Sequence, residues 1–145
     1  MSESQRFPVA VHALIYLAHR GARGPKGAVS SAALAASMPT NPVVVRRVTA
    51  MLGKAGLVRA RSGAGGGAWL TREPAKITLD LVLRAVDGCA HLGVPPAGAR
   101  GCPVGEKIPR VVEAAIRAAD EAAAQRLSKI TIADLLAQVE AAPAA

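Results

Sequence analysis

Residues 42–55, PVVVRRVTAMLGKA, constrain the fold more than any other stretch. At roughly 100° per residue, a helix here sets Val44, Val45, Val48, Met51, Leu52 and Ala55 on one side. Val43, Arg46, Arg47, Ala50 and Lys54 fall on the other. Adjacent β-branched valines disfavour helix locally, so packing from elsewhere must hold this one. Asn41 suits the cap position and Pro42 the first turn, while Gly56 stops the helix. The chain must therefore supply a cover for the valine side and leave the arginine side free.

The flanking residues describe that cover. Phe7, Val11, Leu14, Ile15 and Ala18 follow helical spacing, which predicts a first helix over about residues 6–20 with that stripe buried. GARGPKG reads as a loop. Ser30 or Ser31 caps a short second helix, SAALAASM. Beyond Gly56, LVRAR and AWLT flank SGAGGG as two short extended runs around a glycine tip. Two helices joined by a tight turn and followed by such a hairpin describe a winged helix-turn-helix. Trp69 is expected to pack beneath the wing. GAGGGA also fits the dinucleotide pattern G-x-G-x-x-[GA], but that motif needs a helix directly after it, and Pro74 arrives first.

Farther on, Thr78 is expected to cap a helix, LDLVLRAVDG, closed by Gly88. Residues 88–105 are rich in glycine and proline and hold both cysteines, Cys89 and Cys102. Ile108, Val112, Ala115, Ile116, Ala119 and Leu127 stripe a long helix over about 106–127. Thr131 and Asp134 have the spacing of a capping box for a last helix. No internal repeat is present. Aromatic residues are 2% of the chain, so Val, Leu, Ile and Ala must build the core, which argues against a β-sandwich. The expected architecture is mainly α with a small β-hairpin. It divides into a winged helix-turn-helix unit over 1–87, an effector or redox loop over 88–105, and a dimerisation helix with a C-terminal helix over 106–145. Ile108, Val112, Ile116 and Ala119 form a stripe too apolar for a free surface, which implies a homodimer.

Charge separates the two halves. Between Glu3 and Glu73 there are ten Lys or Arg and no Asp or Glu. From Pro74 onward eight bases meet eight acids. The net charge of +8 therefore lies in the N-terminal half, which points to a polyanion partner. Arg46 and Arg47 can reach guanine O6 and N7 or a phosphate. Thr40 and Asn41 sit where helix N–H groups favour phosphate. Arg59 and Arg61 leave the wing, and the glycines of its tip can approach a groove closely. The expected DNA-facing set is Ser31, Thr40, Asn41, Val43, Arg46, Arg47, Lys54, Arg59, Arg61, Gly65 and Gly66. A helical protein–protein adaptor that keeps the fold without binding DNA is the alternative.

No H-E-x-x-H, C-x-x-C or G-x-S-x-G pattern occurs, so no enzyme is expected. No apolar run reaches the roughly 18 residues of a membrane span. The opening residues lack a basic leader region, so the expectation is a cytoplasmic protein with reduced thiols.

QRFPVAVHALIYLA, SSAALAASMPTNPVVVRRVTAMLGKAGLV, GGGAWLTR and ITLDLVLRAVDG together resemble the bacterial winged-helix regulators of the IscR, NsrR and CymR type. The likeness spans about residues 5–128 and is strongest to the YwnA-like branch, which lacks the full iron–sulfur ligand set. It implies a homodimeric transcriptional regulator, a repressor, on a palindromic double-stranded DNA operator, with the long C-terminal helix as the dimer contact. Cluster-binding members use three cysteines after the AV-x-G helix and a further ligand from elsewhere. Cys89 falls near the first and Cys102 where the last would stand, while the middle one is absent. A histidine of the first helix serves one such member, as His12 could here from across the dimer. The glutamate that accompanies it falls where Pro8 stands. An iron–sulfur cluster, a thiol switch on Cys89 and Cys102, and a small-molecule signal with no cofactor all stay open, the last two needing no metal.

Overall fold

The computed structural model describes residues 5–88 and 92–144. The elements run α1 Arg6–His19, α2 Ser31–Ser37, α3 Pro42–Lys54, β1 Val58–Arg61, β2 Gly67–Leu70, α4 Leu79–Asp87, α5 Ile108–Leu127 and α6 Ile132–Ala141. This is the mainly helical chain with one hairpin that the pattern implies. No helix among the described residues is long and apolar enough to cross a membrane.

Caps account for most of the boundaries. Ser30 Oγ accepts the Ala33 N–H at 3.1 Å and opens α2. Asn41 Oδ1 accepts the Val43 N–H at 2.9 Å and opens α3, with Pro42 in the first turn. Thr131 and Asp134 form the full capping box of α6, the two bonds measuring 3.1 and 2.9 Å. Thr78 differs from expectation. It stands at the N-cap of α4, yet its side chain makes no capping hydrogen bond. An antiparallel bridge to Thr131 holds the chain there instead, through Leu79 N–H to Ile130 O and Ile132 N–H to Ile77 O, each 2.9 Å. The backbone pairing fixes the entry to α4, so the hydroxyl is not needed for it.

One core gathers α1 to α4, the wing and α6. Leu14, Leu34, Val48, Leu52, Ile77 and Ile132 are sealed within it. α3 contributes Val45, Val48 and Leu52, while Val44 and Met51 are half-buried. Ala55, expected inside, is exposed because it is the C-cap, where Gly56 at φ 73° turns the chain away. α1 also corrects its expected stripe. Its buried residues are Ala10, Ala13, Leu14 and Leu17. Phe7, Val11, Ile15 and Ala18 are only half-buried. α1 is apolar on two sides, and the small alanines bring one side close to its neighbours. The other side, with Leu135 and Val139 of α6, walls an open trough of about 690 Å³.

The wing pairs Val58 with Leu70, Arg59 with Trp69, Ala60 with Ala68 and Arg61 with Gly67. Val29 adds one further rung on the other side of β2, exchanging hydrogen bonds of 2.9 and 2.8 Å with Ala68. Gly67 lies so close to this rung that a Cβ there would collide with the Val29 carbonyl. Trp69 is half-buried against the core.

Candidate nucleic-acid interface

The outer side of α3 follows from its two-sided sequence. With Val45, Val48 and Leu52 buried, Arg46, Arg47, Ala50 and Lys54 are left exposed, and Val43 is 50% exposed beside them. Asn41 uses its carbonyl oxygen as the cap, so its NH₂ end is the one that can donate to a phosphate. Thr40 is half-buried, and its N–H donates to Ala35 O at 3.1 Å in the turn between α2 and α3. Arg46 Nη1 donates to Ser31 Oγ at 3.5 Å, a long bond that links the start of α2 to α3.

The wing adds its own cations. Arg59 and Arg61 are exposed on β1. Arg61 joins Arg46 on the lining of one cleft of about 490 Å³, bounded by the start of α2, by α3 and by the hairpin. The structure thus brings Ser31, Arg46, Arg61 and Gly66 to one cleft. Arg59 instead faces a shallow hollow with Trp69 and Arg23. Arg23 was missed by the sequence reading, because a loop has no periodic face; the acid-free charge count was the only signal for it. Gly63 and Gly65 have positive φ and open space around them at the tip. A Cβ on Gly66 would collide with the Arg61 carbonyl, so the turn itself requires that glycine. The side-chain ion pairs among the described residues include Glu73–Lys76, Asp80–Arg84, Glu113–Arg117 and His19–Glu140, and none of these engages Arg46, Arg47, Arg59 or Arg61. These four arginines therefore face solvent and can exchange counter-ions for phosphates.

The other candidates lie apart. Ile108 and Val112 of α5 are 48% and 39% exposed, Ala119 is exposed and Ile116 half-buried. Val111, absent from the expected stripe, is 67% exposed next to it. Cys102 is an exposed free thiol whose Sγ accepts the Gly105 N–H at 3.2 Å. It does not begin a helix: turns separate it from Ile108, the first residue of α5. Cys89 lies outside the described residues. His12 Nε2 and Ser37 Oγ are hydrogen-bonded at 2.7 Å, tying α1 to α2. Among the described residues no three His, Cys, Asp or Glu side chains converge as a metal-binding group. The chain has 2 cysteines in all, fewer than the four thiolates that hold the common clusters. The described residues do not assemble a cluster's ligand set.

The comparisons agree with this geometry. Residues 3–138 match the Rrf2 family profile, described as an iron-dependent transcriptional regulator. YwnA of Bacillus subtilis (strain 168), named as a candidate HTH-type transcriptional regulator, is 33% identical over 134 residues, covering 92% of this chain and 96% of that one. A solved structure of a candidate transcriptional regulator from Lactobacillus plantarum superposes with a TM-score of 0.75 at 27% identity, covering 94% of this chain and 91% of the other. The structure of T. potens IscR gives a TM-score of 0.61 at 27% identity, covering 100% and 93%. These are transcriptional regulators rather than enzymes, and DNA is the partner of such a protein. By the match of nearly its whole length, the chain belongs to the Rrf2 family of transcriptional regulators.

Proposed function

We propose that the protein is a cytoplasmic homodimeric repressor that reads a palindromic operator with α3 and the wing of each protomer. The observation that carries this reading is the pairing of Arg46 from α3 with Arg61 from β1 on one acid-free edge. In a winged helix-turn-helix the second helix of the motif lies in the major groove, and α3 stands in that place. Arg46 and Arg47 are then the base readers, Thr40 and Asn41 the phosphate contacts at the helix start, and Lys54, Arg59 and Arg61 phosphate contacts around it. Family membership in transcriptional regulators sets the adaptor reading aside.

The dimer reading rests on α5. Its apolar stripe is left outside the core, and a symmetry mate would cover it. The signal is read here as reaching the protein without a cluster, through the exposed Cys102 thiol or a small molecule. The direct test is operator binding by Arg46→Ala and Arg47→Ala. Each should lose about 1–3 kcal/mol of affinity if it reads a base, with relaxed specificity at that base pair. If it contacts phosphate alone, affinity falls on all sequences and the salt slope drops by about one. Unchanged binding by the double variant would remove α3 from the interface.

A further inference from the structure

We propose that the cleft between α3 and the wing is a binding site for a small organic anion, a carboxylate on an apolar body, and that its occupancy excludes DNA. The inference rests on the reading of this edge as the DNA-contacting one. The cleft of about 490 Å³ falls within the roughly 300–1,000 Å³ range of small-molecule sites. It exists because small side chains stand where three elements meet: Ala50 and Gly53 on α3, Ala60 on β1 and Gly67 on β2. Larger residues at those places would close the wedge between helix and hairpin.

Its lining has the character of a ligand site rather than of a solvated seam. The floor is made by Val29, Leu34 and Val58, all buried, which offer water no hydrogen bonds. An apolar body gains by displacing that water. The rim carries Arg46 and Arg61 with the hydroxyl of Ser31. No Asp or Glu lines the cleft and none of the ion pairs above engages Arg46 or Arg61, so a cationic ligand would be repelled. Arg46 is held only by the 3.5 Å bond to Ser31 Oγ, so it can turn to grip a carboxylate with both nitrogens.

Exclusion follows from that same residue. A guanidinium engaged bidentately with a ligand carboxylate cannot also grip a base edge or a phosphate. The ligand would therefore act by competition at the DNA-binding edge, with no change of conformation to be transmitted from a distant site.

The test uses the dye 8-anilinonaphthalene-1-sulfonate, an apolar ring system with an anionic head, titrated by fluorescence onto the full chain. Without DNA, saturable binding is expected. Ala50→Leu and Ala60→Leu fill the cleft from exposed positions, so the core is not disturbed. Each should weaken the dye about tenfold, which is about 1.4 kcal/mol. Val139→Ser, in the trough between α1 and α6, should leave dye affinity unchanged. No saturable binding overturns the proposal, as does loss in Val139→Ser with none in the alanine variants, which would place the dye in the trough. In a second arm, a duplex selected by this protein from a random pool should displace the dye. If the alanine variants weaken the dye yet the bound duplex leaves it in place, the exclusion is overturned. That result would count against DNA lying on this edge rather than against the cleft as a site.

Discussion

Residues 5–72 and residues 73–144 handle apolar surface and charge in opposite ways. In the first segment α3 hides Val45, Val48 and Leu52 in the chain's own core and turns uncompensated cations outward. In the second, α5 pairs its charges locally, as Glu113 with Arg117 at 3.1 Å, and leaves Ile108, Val111 and Val112 in solvent. A stripe of similar apolar character is covered in one place and bare in the other. The difference lies in the number of neighbours within the chain. α3 is enclosed by α1, α2, α4 and β1, whereas α5 meets chiefly α4. The N-terminal segment, with α4 and α6 packed on it, is covered on its apolar side and unsatisfied in charge. The C-terminal helix is balanced in charge and unsatisfied in packing. On the proposed reading each meets a partner of a different kind, a polyanion for one and an apolar surface for the other.

The strongest way to break that contrast is to place a charge on the bare stripe. Val112→Asp and Ile116→Asp should each give monomers in analytical ultracentrifugation. Burying an unpaired carboxylate in a dimer contact costs several kcal/mol, on the order of 3–5. Operator affinity should fall with it, because the second half-site is lost. Val112 is already exposed in the single chain, so its variant keeps the protomer fold and isolates the interface from any effect on the protomer core. Dimers with full operator binding in both variants would place the contact elsewhere, and the α1–α6 trough would become the leading face.

Within the N-terminal segment, the wing offers a smaller but sharper test. Gly67→Ala would drive a methyl group into the Val29 carbonyl at the rung that anchors the hairpin. It should cost on the order of 3 kcal/mol, read as a lower urea midpoint with an unchanged slope. Gly65→Ala, at φ 72° but in open space at the tip, should cost only about 1 kcal/mol. Equal costs would mean that the rung to Val29 does not hold the wing to the core.

The same contrast explains what could be read from the sequence. α3 was legible because its apolar and cationic residues separate by angle and because Asn41, Pro42 and Gly56 mark its ends. The buried side of α1 was misread. Ala10 and Ala13 carry too little apolar bulk to stand out against Phe7, Val11 and Ile15, yet their smallness is what permits close packing. Arg23 and the cleft were invisible, since both depend on which loops and strands meet in space. Two threonines with the same apparent role diverge for a similar reason. Thr131 caps α6 with its hydroxyl, whereas Thr78 is held by backbone pairing that no local pattern announces. Thr131→Ala and Asn41→Ala should each cost about 1 kcal/mol of stability. Thr78→Ala should cost less than about 0.5 kcal/mol. Equal losses at Thr78 and Thr131 in thermal unfolding would show that the Thr78 hydroxyl matters in a way the hydrogen bonds do not reveal.

A small effect on operator binding is expected at Cys102, in the turns that lead into α5. Its Sγ accepts the Gly105 N–H, and the backbones of Gly98 and Gly105 are in contact beside it, so the thiol helps to fold the turn that leads into α5. A hydroperoxide would oxidise the thiol to a sulfenic acid and itself be reduced to the alcohol or water. Condensation with a second thiol, Cys89 being the other in the chain, would expel water and form a disulfide. Either product changes the sulfur that accepts the Gly105 N–H and is expected to shift how α5 begins. The α3–wing edge proposed to meet DNA is not altered directly, so only the setting of one proposed half-site against the other should change. Peroxide should therefore weaken operator binding about threefold, less than 1 kcal/mol, and reductant should restore it. Cys102→Ser keeps a hydrogen-bond acceptor at the same place and should bind as reduced wild type, with or without peroxide. Equal peroxide sensitivity of wild type and Cys102→Ser, or none in either, would remove the thiol from the signal and leave small-molecule control as the better account.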